Sequence, residues 1–211
     1  MVPKTIQAKL NEGRSYRNMV EIRALDNEEG RMIVEGYATT FNEPYTLWQD
    51  GDYVFREQVA PTAFEETDMT DVIMQYDHEG RVFARISNGT LELSTDNHGL
   101  RVRADLSGTE IGRQLYEEIR GGYTSKMSFG FTVSADEQLR TEEEGKITML
   151  RTITGIRKLY DVSAVSLPAN NATEISARSF CEGVIAEAAE ERRKKAARDR
   201  QAKKIKILME V

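Results

Sequence analysis

The sequence predicts a mostly β or α+β domain of barrel-like architecture, followed by a charged helical tail. Three observations carry this expectation. Short alternating or apolar segments, separated by turn-rich spacers, recur along residues 20–167. One segment among them has helical periodicity with its own start and stop signals. The net charge of −6 over 211 residues is unevenly spread. Residues 187–211 hold nine Lys/Arg against five Asp/Glu, a balance of +4, which leaves −10 on the rest. Many antiparallel strands with one or two helices suggest a barrel-like sheet. The chain is expected to divide into an extension (1–16), a main domain (17–180) and the tail (181–211).

The elements follow in order. Residues 20–25 alternate, residues 26–30 (Asp-Asn-Glu-Glu-Gly) turn, and residues 31–40 resume as strand, a hairpin signal. Residues 53–59 form a further strand candidate, and Ala60-Pro61-Thr62-Ala63-Phe64 reads as a helix start with proline at its first position. Residues 72–76 form a strand leading into Asp77-His78, and strands follow at 82–86, 90–94 and 100–106. Asp96-Asn97-His98-Gly99 has turn composition. Ser107 and Glu110 match a capping box, Ile111, Leu115 and Ile119 recur on one helical face, and Gly121-Gly122 stops the helix. Residues 125–134 and 147–157 read as strands, with the acidic stretch 136–145 between them as a loop. Residues 159–167 form the last strand, closed by Pro168.

Composition excludes several classes. No run approaches the roughly 20 apolar residues of a membrane helix, and Met1-Val2-Pro3-Lys4 lacks the apolar stretch of a secretory signal. The single cysteine, Cys181, forms no internal disulfide, which points to a reducing compartment. The acidic balance argues against nucleic-acid binding through bulk charge. The tail has strong helix formers and favourable i,i+4 pairs, Glu190 with Lys194 and Glu191 with Lys195. It lacks a sustained apolar stripe, so it reads as a solvated helix.

The candidate chemistry rests on few residues. Of the two histidines, His98 lies in a turn, where a solvated role is the ordinary one. In an extended strand His78 shares a face with Val72, Met74 and Tyr76, and both a structural histidine and a general base fit that place. In residues 122–131, Met127, Phe129 and Phe131 point to the core, while Ser128 and Gly130 point the other way. A serine beside a glycine leaves room for another backbone, as a nucleophile needs, and also suits an ordinary half-buried strand. Ser125 falls on the Met127 face and is the poorer candidate. Asp161 sits in a strand apolar on both faces, grouped by alternation with Leu159, Val165 and Leu167. A buried carboxylate needs a partner, either a backbone or arginine donor or an imidazole to orient. Asp77 neighbours His78, but adjacent strand residues face opposite ways. Two histidines, one cysteine and no His-Glu-x-x-His spacing give no metal site, and no cofactor is expected.

At these segments the chain resembles the prohead serine proteases of tailed bacteriophages, over roughly residues 20–177. The matching pieces are Gln75-Tyr76-Asp77-His78, Gly99-Leu100-Arg101-Val102, Ile119-Arg120-Gly121, Ser128-Phe129-Gly130-Phe131, and residues 159–165 running into Pro168-Ala169-Asn170. The resemblance implies a serine endopeptidase related in fold to the herpesvirus assemblins, an antiparallel β-barrel ringed by helices. Carried over by motif, Ser128 is the nucleophile, His78 the general base and Asp161 the third member. Assemblins use a second histidine in that place, and no histidine follows Ser128 here, so that version would recruit His98. Backbone donors for the oxyanion are expected at Gly130 or in the loop after Leu167.

The same resemblance implies a place and partners. Such proteases act inside the prohead in the cytoplasm of the bacterial host. They cut scaffold or the scaffolding segment of the capsid protein, and then themselves, with self-association but no membrane or specific nucleic-acid partner. The basic tail would be the self-cleaved or capsid-docking part. The competing class is a non-catalytic capsid-assembly or scaffold-associated β-barrel protein that retains the motif.

Overall fold

The computed structural model describes residues 15–25 and 30–166, with eight further positions between 186 and 201. Strand β1 (Ser15–Ala24) pairs antiparallel with β2 (Ile33–Thr40), Ile22 opposite Gly36, as the hairpin signal predicts. Next come β3 (Tyr45–Asp50) and β4 (Tyr53–Val59), an antiparallel pair. The sequence reading misses β3. Pro61–Phe64 forms only a single 3-10 turn. Strands β5 (Ile73–Tyr76), β6 (Glu79–Arg85), β7 (Leu91–Thr95) and β8 (Gly99–Asp105) lead to helix α1 (Glu110–Arg120). The chain then enters two long strands, β9 (Lys126–Glu143) and β10 (Lys146–Val165).

Helix α1 begins where its cap chemistry allows. Ser107, the expected cap, accepts from the Met32 amide at 2.9 Å and donates to Asp105. Thr109 caps instead, accepting from the Gly112 amide at 3.0 Å. The face formed by Leu115, Tyr116 and Ile119 is buried, and the Tyr116 hydroxyl donates to the Leu25 carbonyl at 2.8 Å. Gly99 is fixed by close approach, since a Cβ there would lie 2.0 Å from the Thr39 carbonyl oxygen.

Strands β9 and β10 form the spine. They pair along nearly their whole length and are joined by Glu144-Gly145, both at positive φ (49° and 86°). That is the signature of a type I′ two-residue hairpin loop. The expected acidic loop at 136–145 is therefore strand as far as Glu143. Two of its acids are matched by cations: Arg151 donates to Asp136 at 3.0 Å and Arg140 pairs with Glu142 at 3.1 Å. The other edge of β10 takes β4 in parallel, Ile153 opposite Val59, and further along β5 in parallel, Ala164 opposite Tyr76.

The full order is β3-β4-β10-β9-β1-β2-β8-β7, with the β5–β6 hairpin attached to β10. Among the described residues β3 and β7 do not pair, so the sheet is not closed into the expected barrel. It is curved at the register shifts within β1–β9, β2–β8, β3–β4 and β9–β10. The fold is mostly β, with one α-helical element of several turns described in the body. The core gathers Phe129, Phe131, Met74, Ile156, Leu159 and Val162. Phe129 and Phe131 stack with centroids 4.5 Å apart.

The tail lies largely outside the described residues, as does most of the 1–16 extension. The described tail positions have helical backbone. Lys194 donates to Glu190 at 2.7 Å and holds its carboxyl below the ordinary range. The expected Glu191–Lys195 pair lies outside the described residues.

One buried charge network stands away from Ser128. Arg151 bonds Glu57 at 2.9 Å as well as Asp136, and Tyr45 donates to Glu57 at 2.5 Å. Arg151 and Glu57 are 1% and 0% exposed, so removing the cation strands a carboxylate in the interior. Arg151→Leu is expected to lower the unfolding free energy by about 3–5 kcal/mol in denaturant titrations. Arg101→Leu removes an exposed cation from Glu35, which keeps Arg103, and should cost about 1 kcal/mol or less.

Candidate active site

The site is assembled on the face of β9 and β10 opposite the phenylalanines. Alternation sends Met127, Phe129 and Phe131 to the core and Ser128 to the other side. Across the ladder Ser163 stands opposite Ser128, and Asp161 opposite Gly130. Between Leu159 and Asp161 the register shifts. Leu159 faces Phe131 on the core side, whereas Asp161 joins Ser163 on the Ser128 side. The alternation that groups Asp161 with Leu159 therefore fails at this bulge.

His78 arrives from the other edge of β10. Strand β5 ends at Tyr76, which pairs with Glu79 of β6, so Asp77 and His78 are the two loop residues of a hairpin. Their φ values are 49° and 61°, again the type I′ signature. The expected extended strand through His78 is thus a turn, and the face shared with Val72 and Met74 stops at Tyr76. Aspartate and histidine tolerate the left-handed region better than most residues, though at some cost.

This turn brings the imidazole between serine and carboxylate. His78 Nε2 lies 2.6 Å from Ser128 Oγ, and Nδ1 lies 2.5 Å from Asp161 Oδ1. An ionised carboxylate only accepts, so Nδ1 carries the proton and donates to Asp161. Nε2 is then the lone-pair nitrogen, placed to accept from the Ser128 hydroxyl. Ser163 Oγ donates to the same Asp161 oxygen at 2.9 Å. Ser128 and Ser163 are fully buried, Asp161 is 2% exposed, and the His78 side chain is 7% exposed. A carboxylate this deep is held by its donors, which fix it as a hydrogen-bond acceptor for the imidazole.

The other candidates lie elsewhere. His98 is exposed in the β7–β8 turn, its ring edge-on to Tyr37 with centroids 4.5 Å apart. Ser125 is exposed just before β9, its carbonyl accepting from the Ile22 amide. The Asp77 carboxylate is bonded to Ser166. Sequence reasoning does not single out Ser163, although its two-residue spacing from Asp161 on a buried strand signals a shared face. Beside the turn, between the β5–β6 hairpin and α1, lies a groove of about 620 Å3, lined by Tyr76, Phe83, Ile111, Leu115, Glu79 and Glu118 among others. Among the described residues no three His, Cys, Asp or Glu side chains gather to hold a metal ion.

A serine hydroxyl, an imidazole and a buried carboxylate bonded in series on a β-sheet form the arrangement of serine acyl-transfer enzymes. The family model for the caudovirus prohead serine protease matches residues 18–184, and the chain belongs to that family. A solved structure of the bacteriophage T4 capsid assembly protease, gp21, is 12% identical with a TM-score of 0.39, over 72% of this chain and 98% of that one. No curated protein matches the chain in sequence.

The serial bonding has a spectroscopic signature. The His78 Nδ1 proton should resonate well downfield of the amide range in the 1H spectrum. Asp161→Ala should abolish that signal, and Ser163→Ala should shift it.

Proposed function

We propose that this chain is a serine endopeptidase of phage capsid maturation, with Ser128 as nucleophile, His78 as general base and Asp161 as its orienting acid. The observation that supports this reading most directly is the pair of contacts made by the two nitrogens of one imidazole. His78 Nε2 takes the Ser128 proton as Oγ attacks a peptide carbonyl, and returns it to the leaving amine. Asp161 fixes the tautomer and stabilises the imidazolium that forms. Water then repeats the sequence on the acyl-enzyme. Ser128 is buried, so peptide binding must open the face above it. The groove beside the His78 turn is space for residues flanking the scissile bond.

On this reading the substrates are scaffold and the scaffolding segment of the capsid protein, cut inside the prohead in the host cytoplasm. Residues 17–180 act as the protease domain, which self-associates, and the basic tail is a site of self-cleavage or capsid docking.

The deciding experiment compares wild type with Ser128→Ala. A fluorophosphonate probe should label the wild type once, at Ser128, and leave the variant unlabelled. Incubation with the cognate scaffold protein should give fragments only with the wild type, the variant being about 10³-fold slower or worse. Long incubation of purified protein should shorten the wild type, but not the variant, in intact-mass spectra. Equal labelling with uncut scaffold from both would overturn the protease reading and leave the non-catalytic assembly protein.

A further inference from the structure

The turn that carries His78 is held from outside the relay. Asp77 N donates to the Ala164 carbonyl at 2.9 Å, closing the Tyr76–Ala164 pair at the end of the β5–β10 ladder. Its carboxylate then reaches Ser166, the exposed residue that follows β10. Oδ1 accepts from the Ser166 amide at 2.9 Å, and Oδ2 accepts from the Ser166 hydroxyl at 2.8 Å. Three hydrogen bonds thus tie one residue of the two-residue loop to the end of the strand that carries Asp161 and to the residue that follows it. Both loop residues sit at positive φ without being glycine, so the loop by itself favours neither this conformation nor this direction for the imidazole.

We propose that Asp77 is a positioning residue for the reaction, and that its clamp on Ser166 sets the place of the His78 imidazole between Ser128 and Asp161. Asp77 acts through the turn and through its neighbour's backbone. The inference rests on the catalytic reading of His78. A base displaced by about an ångström loses about 10²-fold in rate without any change in its own chemistry.

Three substitutions separate the clamp from the backbone conformation. Asp77→Gly keeps positive φ at no steric cost and removes the clamp. Asp77→Asn retains an acceptor for the Ser166 amide, offers a donor to its hydroxyl, and suits the left-handed region. Ser166→Ala removes one leg at an exposed position, so folding is not at stake. The measurements are the rate of Ser128 phosphonylation, the kcat and KM for a scaffold peptide, and the downfield His78 proton.

Asp77→Gly should lower kcat and the phosphonylation rate by about 10- to 100-fold with KM nearly unchanged, and should broaden or shift the His78 signal. Asp77→Asn should recover most of the rate. Ser166→Ala should fall between, and should have no further effect in the Asp77→Gly background. Wild-type rates in both Asp77→Gly and Ser166→Ala would overturn the proposal. So would a rate loss in Asp77→Gly with an unaltered His78 signal. Failure of the catalytic reading itself would look different, with wild type and Ser128→Ala indistinguishable before any Asp77 variant is compared.

Discussion

The register between β9 and β10 is the constraint on which the site and both wings of the sheet depend. A slip of one residue would turn Ser128 into the core and Phe129 out of it, because side chains alternate with period two. Two kinds of interaction oppose that slip. Met127, Phe129 and Phe131 on one side commit the apolar face. At the far end of the hairpin, Arg151 on β10 is bonded to Asp136 on β9 and to Glu57, its direct partner on β4. A shift there would separate charges in a dry interior, where an unpaired carboxylate is far more costly than at the surface. The tight Glu144-Gly145 loop closes the hairpin with no slack.

Within that frame, irregularity does the placing. The bulge between Leu159 and Asp161 moves the carboxylate from the side of Leu159 to the side of Ser128. The type I′ loop reverses β5 so tightly that His78 points back across β10 instead of continuing outward. Neither feature is favourable on its own. Each persists because regular pairing on both sides over-determines it: β9 and β5 flank Asp161, while β6 and β10 flank the loop.

Much of this architecture was legible because it depends on local pattern. The β1–β2 hairpin, β4, β7 and β8 follow from alternation and turn composition, and the face of Ser128 follows from its phenylalanine neighbours. The failures are non-local. The acidic stretch 136–143 looks like a solvated loop until Arg151 and Glu57 are placed beside it. Asp77-His78 carries none of the Asn-Gly chemistry that usually announces a two-residue loop, so alternation runs on through it to His78. Ser107 looks like a helix cap, but Met32, distant in sequence, occupies its hydroxyl. The bulge at residue 160 has no composition signal, and every alternation argument that crosses it inverts. The order of the motifs suggested Ser128, His78 and Asp161 together; which faces bring them together belongs to the tertiary register.

The connectivity also carries a consequence for how the molecule is made. His78 and Asp161 are 83 positions apart, and β4 and β5 both find their parallel partner in β10, the last strand among the described residues. A chain emerging from the ribosome completes the imidazole-bearing hairpin, then the serine strand, and only afterwards the strand bearing the carboxylate. Until β10 has emerged, β4 and β5 have only their hairpin partners β3 and β6, and the imidazole lacks its anchor. Pairings so distant in sequence form late and together. Vectorial synthesis therefore acts as a timer: the serine, the imidazole and the carboxylate come together only once nearly the whole described body has been translated.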